Sequence, residues 1–207
     1  YQPTGNFGNL LYGCQLQNCN YGVFGVESNT PQIMHPGMLY IRNGEISGCR
    51  KAAIYLKCPT ENINGVYLAN VSIEGNWGHG AYFDGMNLCP DGPVLDAVHF
   101  ENNDSQANGT IDLGFGRGVE TIRDLMCHDV DMITIRTSHC TEAGFEFNNS
   151  MALMDACFMN MASRLQQDAS SVVVCKNANL DGISHLADAG LIASSSSADP
   201  LVPLVRP

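Results

Sequence analysis

Basic side chains are scarce in this chain of 207 residues. Lys and Arg number 10 against 21 Asp and Glu, giving a formal net charge of −11 and a pI near 4.7. That balance lacks the electrostatic footprint of a nucleic-acid binder and argues against an anionic membrane surface, while leaving neutral sugars open. No apolar run reaches the roughly 18 residues of a membrane span, so membrane insertion is not expected. The opening segment YQPTGNFGNLLYG has neither a basic start nor an apolar stretch, so a cleaved signal peptide is not expected there. There is one tryptophan. Nine cysteines occur, at 14, 19, 49, 58, 89, 127, 140, 157 and 175, but none forms a Cys-x-x-Cys pair and no Cys/His spacing of a zinc site is present. The odd count, with Cys127 and Cys157 among apolar neighbours, reads as mostly free thiols in a reducing compartment. Asp129 and Asp131 flank Val130 but bring too few oxygens for calcium. Neither a metal nor a cofactor is expected. Four Asn-x-Ser/Thr matches, at Asn70, Asn103, Asn108 and Asn148, are chance occurrences in an Asn-rich chain.

Turn-forming residues and a repeat are what the chain does have. Gly number 21, and Asn is often paired, as in Asn102-Asn103 and Asn148-Asn149. The segments LYIRNGEISGC, VYLANVSIEGN, VLDAVHFENN and TIRDLMCHDV align with a step of 27. Ile41, Leu68, Leu95 and Ile122 form one apolar column; Ile46, Ile73, Phe100 and Cys127 form a second. Asn43, Asn70, Ala97 and Asp124 stand at the corner between them. Altered steps carry the register to Leu16 upstream and to Phe158 and Leu180 downstream, with Asp155 and Asn177 at corners. Within each unit the alternation has period 2, as in strands such as AAIYL, GAYFDG, TIDLG and MITIR. Short alternating strands that recur at a fixed long step close into a stacked parallel coil. A β-sandwich gives no reason for three columns to share one step. The expected fold is therefore all-β, a parallel β-helix solenoid of about seven coils of roughly 22–31 residues over 1–185. An extended tail or linker is expected over 186–207, and a helical turn within 160–171.

With NGEISGC, NVSIEGN, AVHFENN and DLMCHDV in register, the chain resembles the right-handed parallel β-helix (pectin-lyase-like) superfamily of pectate lyases, polygalacturonases and bacteriophage tailspikes. The resemblance covers roughly residues 10–185. The polygalacturonase motifs are missing as a set: Gly78-His79-Gly80 stands without the acidic motif that should precede it. With no signal peptide expected, many cysteines read as free thiols and Asn-rich coils, the tailspike branch fits better than the plant-wall branch, and that resemblance implies a homotrimer in the virion tail, assembled in the bacterial cytoplasm.

Alternation also assigns faces. With Ile46, Ile73 and Phe100 inward, Ser47, Glu74, Glu101 and His128 form one outward column and Glu45, Ser72, His99 and Met126 another. In the next strand Ile54, Phe83, Ile111 and Ile133 are expected inward. Tyr55, Asp84, Asp112 and Thr134 are then outward, with Tyr82 nearby and Arg136 ending the column. Tyr40 and Tyr67 form an outward pair. Stacked carboxylates about 5 Å apart suit acid–base work on a glycosidic bond. Glu74, Glu101, Asp84 and Asp112 are the candidate catalytic acids. Trp77, His79, His99, His128, Tyr82 and Arg136 are the candidate sugar-binding residues. The expected function is binding and hydrolysis of a bacterial surface polysaccharide, capsule or O-antigen. The alternative is a non-enzymatic structural module of a virus particle. A lyase ranks lower, because few cations stand near the acids.

Overall fold

A computed structural model describes residues 9–26, 38–57, 65–86, 92–104, 109–114, 118–141, 143–159, 163–178, 184–187 and 191–195. Among the described residues there is no helix. The first strands are β1 (Asn9–Tyr12), β2 (Gln15–Gln17) and β3 (Tyr21–Val26). A long and a shorter strand then alternate: β4 (Leu39–Ser47) with β5 (Ala52–Lys57), and β6 (Val66–Glu74) with β7 (His79–Asp84). After β8 (Pro93–Glu101) come β9 (Thr110–Asp112), β10 (Val119–Thr121) and β11 (Leu125–His128). The rest comprises β12 (Ile133–Arg136), β13 (His139–Cys140), β14 (Phe145–Asn148), β15 (Met151–Asp155), β16 (Phe158–Met159) and β17 (Arg164–Gln167). It closes with β18 (Val172–Lys176), β19 (Ser184–Ala187) and β20 (Leu191–Ser195).

Two sheets hold these strands. The first runs β1-β4-β6-β8-β12-β15-β18-β20, with β2, β13 and β16 alongside; the second runs β3-β5-β7-β11-β14-β17-β19. Pairing within both is parallel, and the chain visits the two alternately, which is the topology of a β-helix or solenoid. β9 and β10 form a separate antiparallel hairpin. Strand pairing continues through β20, so the residue-185 boundary read from the sequence falls inside β19.

Identical register positions pile up as expected in the first half. Leu11, Ile41, Leu68 and Leu95 are consecutive partners, as are Leu16, Ile46, Ile73 and Phe100. From Ile41 and Ile46 onward these side chains are buried, each worth about 1.5–3 kcal/mol of apolar burial. The corner column also holds: Asn43, Asn70 and Ala97 have φ of 52°, 53° and 53°. Asn tolerates this left-handed conformation better than most residues, and the Asn70 amide donates to Asn43 Oδ1 at 2.9 Å.

Beyond Phe100 the register departs from a 27-residue step. Phe100 pairs with Cys140, 40 positions on, and not with Cys127; Leu95 pairs with Ile135 and not with Ile122. The cause is the β9–β10 hairpin, which lengthens this one circuit. The TIDLG segment therefore joins neither large sheet, and Ile111 packs against a second, smaller apolar cluster with Tyr55 and Tyr82. Leu125–His128, expected in the first sheet, lies in the second, where Cys127 stacks on Phe83. Ile133 belongs to the first sheet, opposite Ala152. Thr137 takes the corner that Asp124 was expected to hold, and Ala156 the corner expected of Asp155; their φ values are 46° and 52°. Asn177 is at a corner, with φ of 51°. Phe158 pairs with His139 and lies outward. Arg164–Gln167 is a strand where a helical turn was expected. Leu180 lies outside the described residues.

Candidate functional site

The outer face of β4, β6 and β8 beyond the corner carries the acids. Alternation sends Ile46, Ile73 and Phe100 inward, so Glu45 and Ser47, Ser72 and Glu74, and His99 and Glu101 project outward. Register sets Ser72 beside His99 and Glu74 beside Glu101. His99 Nε2 and Glu101 Oε2 are 2.9 Å apart. Ser72 Oγ donates to Glu74 Oε2 at 3.1 Å. Glu45 Oε1 accepts from Ser47 Oγ at 2.8 Å and from Gln17 Nε2 at 3.0 Å. Ligand atoms of Glu74, His99 and Glu101 lie within 4.8 Å of one another, a set able to hold a metal ion. These acids border a shallow recess of about 380 Å³ that also takes in Ser47, Gly48, Gly75 and Asn102. The next outward ring is His139, 6.0 Å from His99 between centroids.

The turn after this face is held from within. Asn76 Oδ1 accepts the Cys49 N–H, and Asn76 Nδ2 donates to Asn103 Oδ1 at 2.8 Å. Asn103 Nδ2 donates to Asp124 Oδ1 at 2.7 Å, and Asp124 Oδ2 accepts from Gly144 N and Cys140 Sγ. Burial pushes the Asp124 carboxyl above its ordinary value, opposed by these hydrogen bonds. This buried amide ladder anchors the turn bearing Trp77. That ring is exposed and has the Arg50 guanidinium over it at 5.4 Å.

The other residues singled out from the sequence stand elsewhere. Asp84 is buried on the second sheet, 3.4 Å from Lys57 Nζ. Tyr82 is buried, stacked on Tyr55 at 4.9 Å and tilted against His128 at 5.5 Å. His79 is fully enclosed: Nδ1 accepts the Arg123 N–H at 3.1 Å, Nε2 has no hydrogen-bond partner, and burial pushes its pKa down to about 3. Ile111 and Leu113, from β9 and its end, pack over Tyr55, Tyr82 and Met126. Asp112 is exposed on the hairpin, where Oδ1 accepts the Gly114 N–H at 2.8 Å. Arg136 lies across the corner, in a second recess of about 330 Å³ with Tyr40, Tyr67 and Thr134. There the two tyrosine rings are 6.1 Å apart, Arg42 stands 5.3 Å over Tyr67, and Tyr67 Oη donates to Asp96 at 3.3 Å.

The structure thus brings together Glu74, His99 and Glu101, and separates Asp84, His79, Tyr82, His128, Asp112 and Arg136 from them. Sequence reasoning passed over Arg42 and Asp96; their signal was the same register that exposed Tyr40 and Tyr67. Another cleft, of about 490 Å³, lies away from these glutamates, between Asp104, Thr121, Arg123 and Arg164. Its buried Arg123 is committed to Glu146 at 3.0 Å and Gln166 at 2.9 Å, so the cleft is framed by a structural ion pair, and the chemistry is better placed at the carboxylates. No family model matches the chain, and no curated protein or solved structure matches it.

Proposed function

We propose that the chain winds as a right-handed parallel β-helix of about seven coils, of the pectin-lyase-like, tailspike kind. In this reading it binds a bacterial surface polysaccharide along the outer face of its first sheet and hydrolyses it at Glu74 and Glu101. The observation that carries the reading is the direct register pairing of these two carboxylates on rigid adjacent strands. Strand spacing of about 4.8 Å is near the ~5–5.5 Å separation of retaining glycosidases and short of the inverting range. One carboxyl protonates the leaving glycosidic oxygen while the other attacks the anomeric carbon; water then releases the sugar with the first residue as base. The Tyr40–Tyr67 pair, with Thr134 and Arg136, supplies a sugar platform across the corner. Assembly as a homotrimer in a virion tail belongs to the same proposal.

The test is release of reducing ends from a panel of capsular and O-antigen polysaccharides. Glu74→Gln and Glu101→Gln should each lower release about 10²-fold or more, with unchanged melting. Equal rates in wild type and both variants would remove the pair from the chemistry. Glycan binding without release would favour the second reading, a non-enzymatic shaft or decoration; the Arg50 guanidinium already lying over Trp77 speaks for that reading.

A further inference from the structure

The Glu74, His99 and Glu101 cluster has a donor set that proton transfer alone does not use. Two carboxylates and one imidazole come from two neighbouring strands whose pairing fixes their spacing. His99 and Glu101 are alternate residues on the same face of β8, and Glu74 is the register partner of Glu101. All three donor atoms lie within 4.8 Å of one another, and the His99 Nε2 to Glu101 Oε2 separation is 2.9 Å. Around a tetrahedral zinc ion with ligand distances of ~2.1 Å, donor atoms stand roughly 3.4 Å apart. Small side-chain rotations of the kind exposed Glu and His make freely close the remaining gap.

The surroundings favour a cation. The recess beside the donors is lined by Glu45, Glu74 and Glu101, with Ser47, Gly48, Gly75 and Asn102, and among the described residues by no lysine or arginine. One Glu74 oxygen is held by the neighbouring Ser72 hydroxyl at 3.1 Å, as outer partners hold metal ligands. The donors sit on the surface of a rigid sheet, so at most three positions around an ion are filled by protein and the rest stay open to water. One imidazole nitrogen with two carboxylate oxygens suits a borderline divalent ion. Calcium would want six to eight oxygens, and magnesium an octahedron of them.

We propose that Glu74, His99 and Glu101 bind one divalent transition-metal ion of the zinc type. Nothing in the local sequence announces the site, because its ligands are split between two segments that only the strand register joins. The inference does not rest on the glycan reading. If both hold, the ion occupies the two carboxylates that hydrolysis needs, and zinc suppresses release of reducing ends.

The experiment is calorimetric titration of the whole chain with Zn2+ alone, in a non-chelating buffer and without glycan. The expected result is one saturable site that His99→Ala and Glu74→Gln each weaken at least tenfold, while Asp112→Asn leaves it unchanged. Because Cys14 and Cys19 are free and half-buried, Co2+ is titrated in parallel. A site made of oxygen and imidazole gives no thiolate charge-transfer band. Circular dichroism melts confirm that the variants fold, and Glu101→Gln replaces either one that does not. Absence of saturable zinc binding, binding unchanged in both variants, or a thiolate band at stoichiometric Co2+ would each overturn the assignment. Failure of glycan hydrolysis, in contrast, would leave it standing.

Discussion

The hairpin at β9–β10 divides the molecule into two stacks that obey one rule at two circumferences. Before it, partners step by 27 residues, from Ile41 to Leu68 to Leu95, on strands of nine residues. After it they step by 19 to 21, from Ile135 to Met154 to Cys175, on strands of four or five. The wide stack turns from the first sheet to the second on amides, Asn76 to Asn103; the narrow one turns from the second sheet back to the first on hydroxyls, with Ser150 Oγ accepting the Val130 N–H and Ser171 Oγ accepting the Ser150 N–H. Outside, the wide stack presents Glu74, His99 and Glu101, whereas the narrow one presents Met151, Phe158 and Val172. Stacking is thus tolerant of coil length, and the polar chemistry gathers where the strands are longest.

Phe100 and Phe145 join the two stacks, ring edge to face at 5.6 Å. Phe100→Ala should cost about 3–5 kcal/mol by chemical denaturation, and Met154→Ala, inside the narrow stack alone, about 2–5. A single cooperative transition in both variants is expected; two separated transitions would show that the stacks fold independently.

His79 sits at the same junction, and its effect is read by pH. Its folded pKa of about 3 lies below the ordinary value of 6.5, so it contributes stability that is present above pH 6.5 and lost as pH falls towards 3. The span corresponds to roughly 5 kcal/mol. His79→Phe should flatten the acid limb of melting temperature against pH. Asp124, whose pKa is raised, has the opposite sign: its contribution is lost as pH rises through the raised value. It is common to both proteins and cancels in their difference. Identical acid limbs would refute the burial of a neutral imidazole.

The corner ladders give a smaller contrast. Asn103→Ala removes the amide between Asn76 and Asp124 and should cost about 3 kcal/mol, against about 1–2 for Ser150→Ala. Equal costs would mean that the two corner devices are interchangeable. Smallest are the outer corners: Ala97→Asn in the wide stack and Ala156→Asn in the narrow one should each gain about 0.5–1 kcal/mol, since both hold φ near 50°.

The columns Ile41–Leu68–Leu95 and Ile46–Ile73–Phe100 were legible because nothing interrupts their step. Cys127 was misplaced because the hairpin contributes its own alternating TIDLG and VETI segments, which mimic sheet strands in period and composition. Glu74, His99 and Glu101 were legible as outward residues on one face. Asp84, with Tyr82 nearby, and His128 were also read as outward; the structure buries all three, on the second sheet. Alternation says which face a side chain leaves by, however, and not that Ile111 and Leu113 will be laid over it from a distant segment. The short step of the second stack was hidden for the same reason, since the register was carried across the insertion.

The central claim is that strands far apart in sequence are vertical neighbours, with the hairpin looped out. Cross-strand nuclear Overhauser contacts of the isotopically labelled chain test it most directly at β8. Backbone contacts of His99 and Phe100 with His139 and Cys140, 40 positions on, are predicted. Contacts of the same residues with Met126 and Cys127 instead would contradict the account.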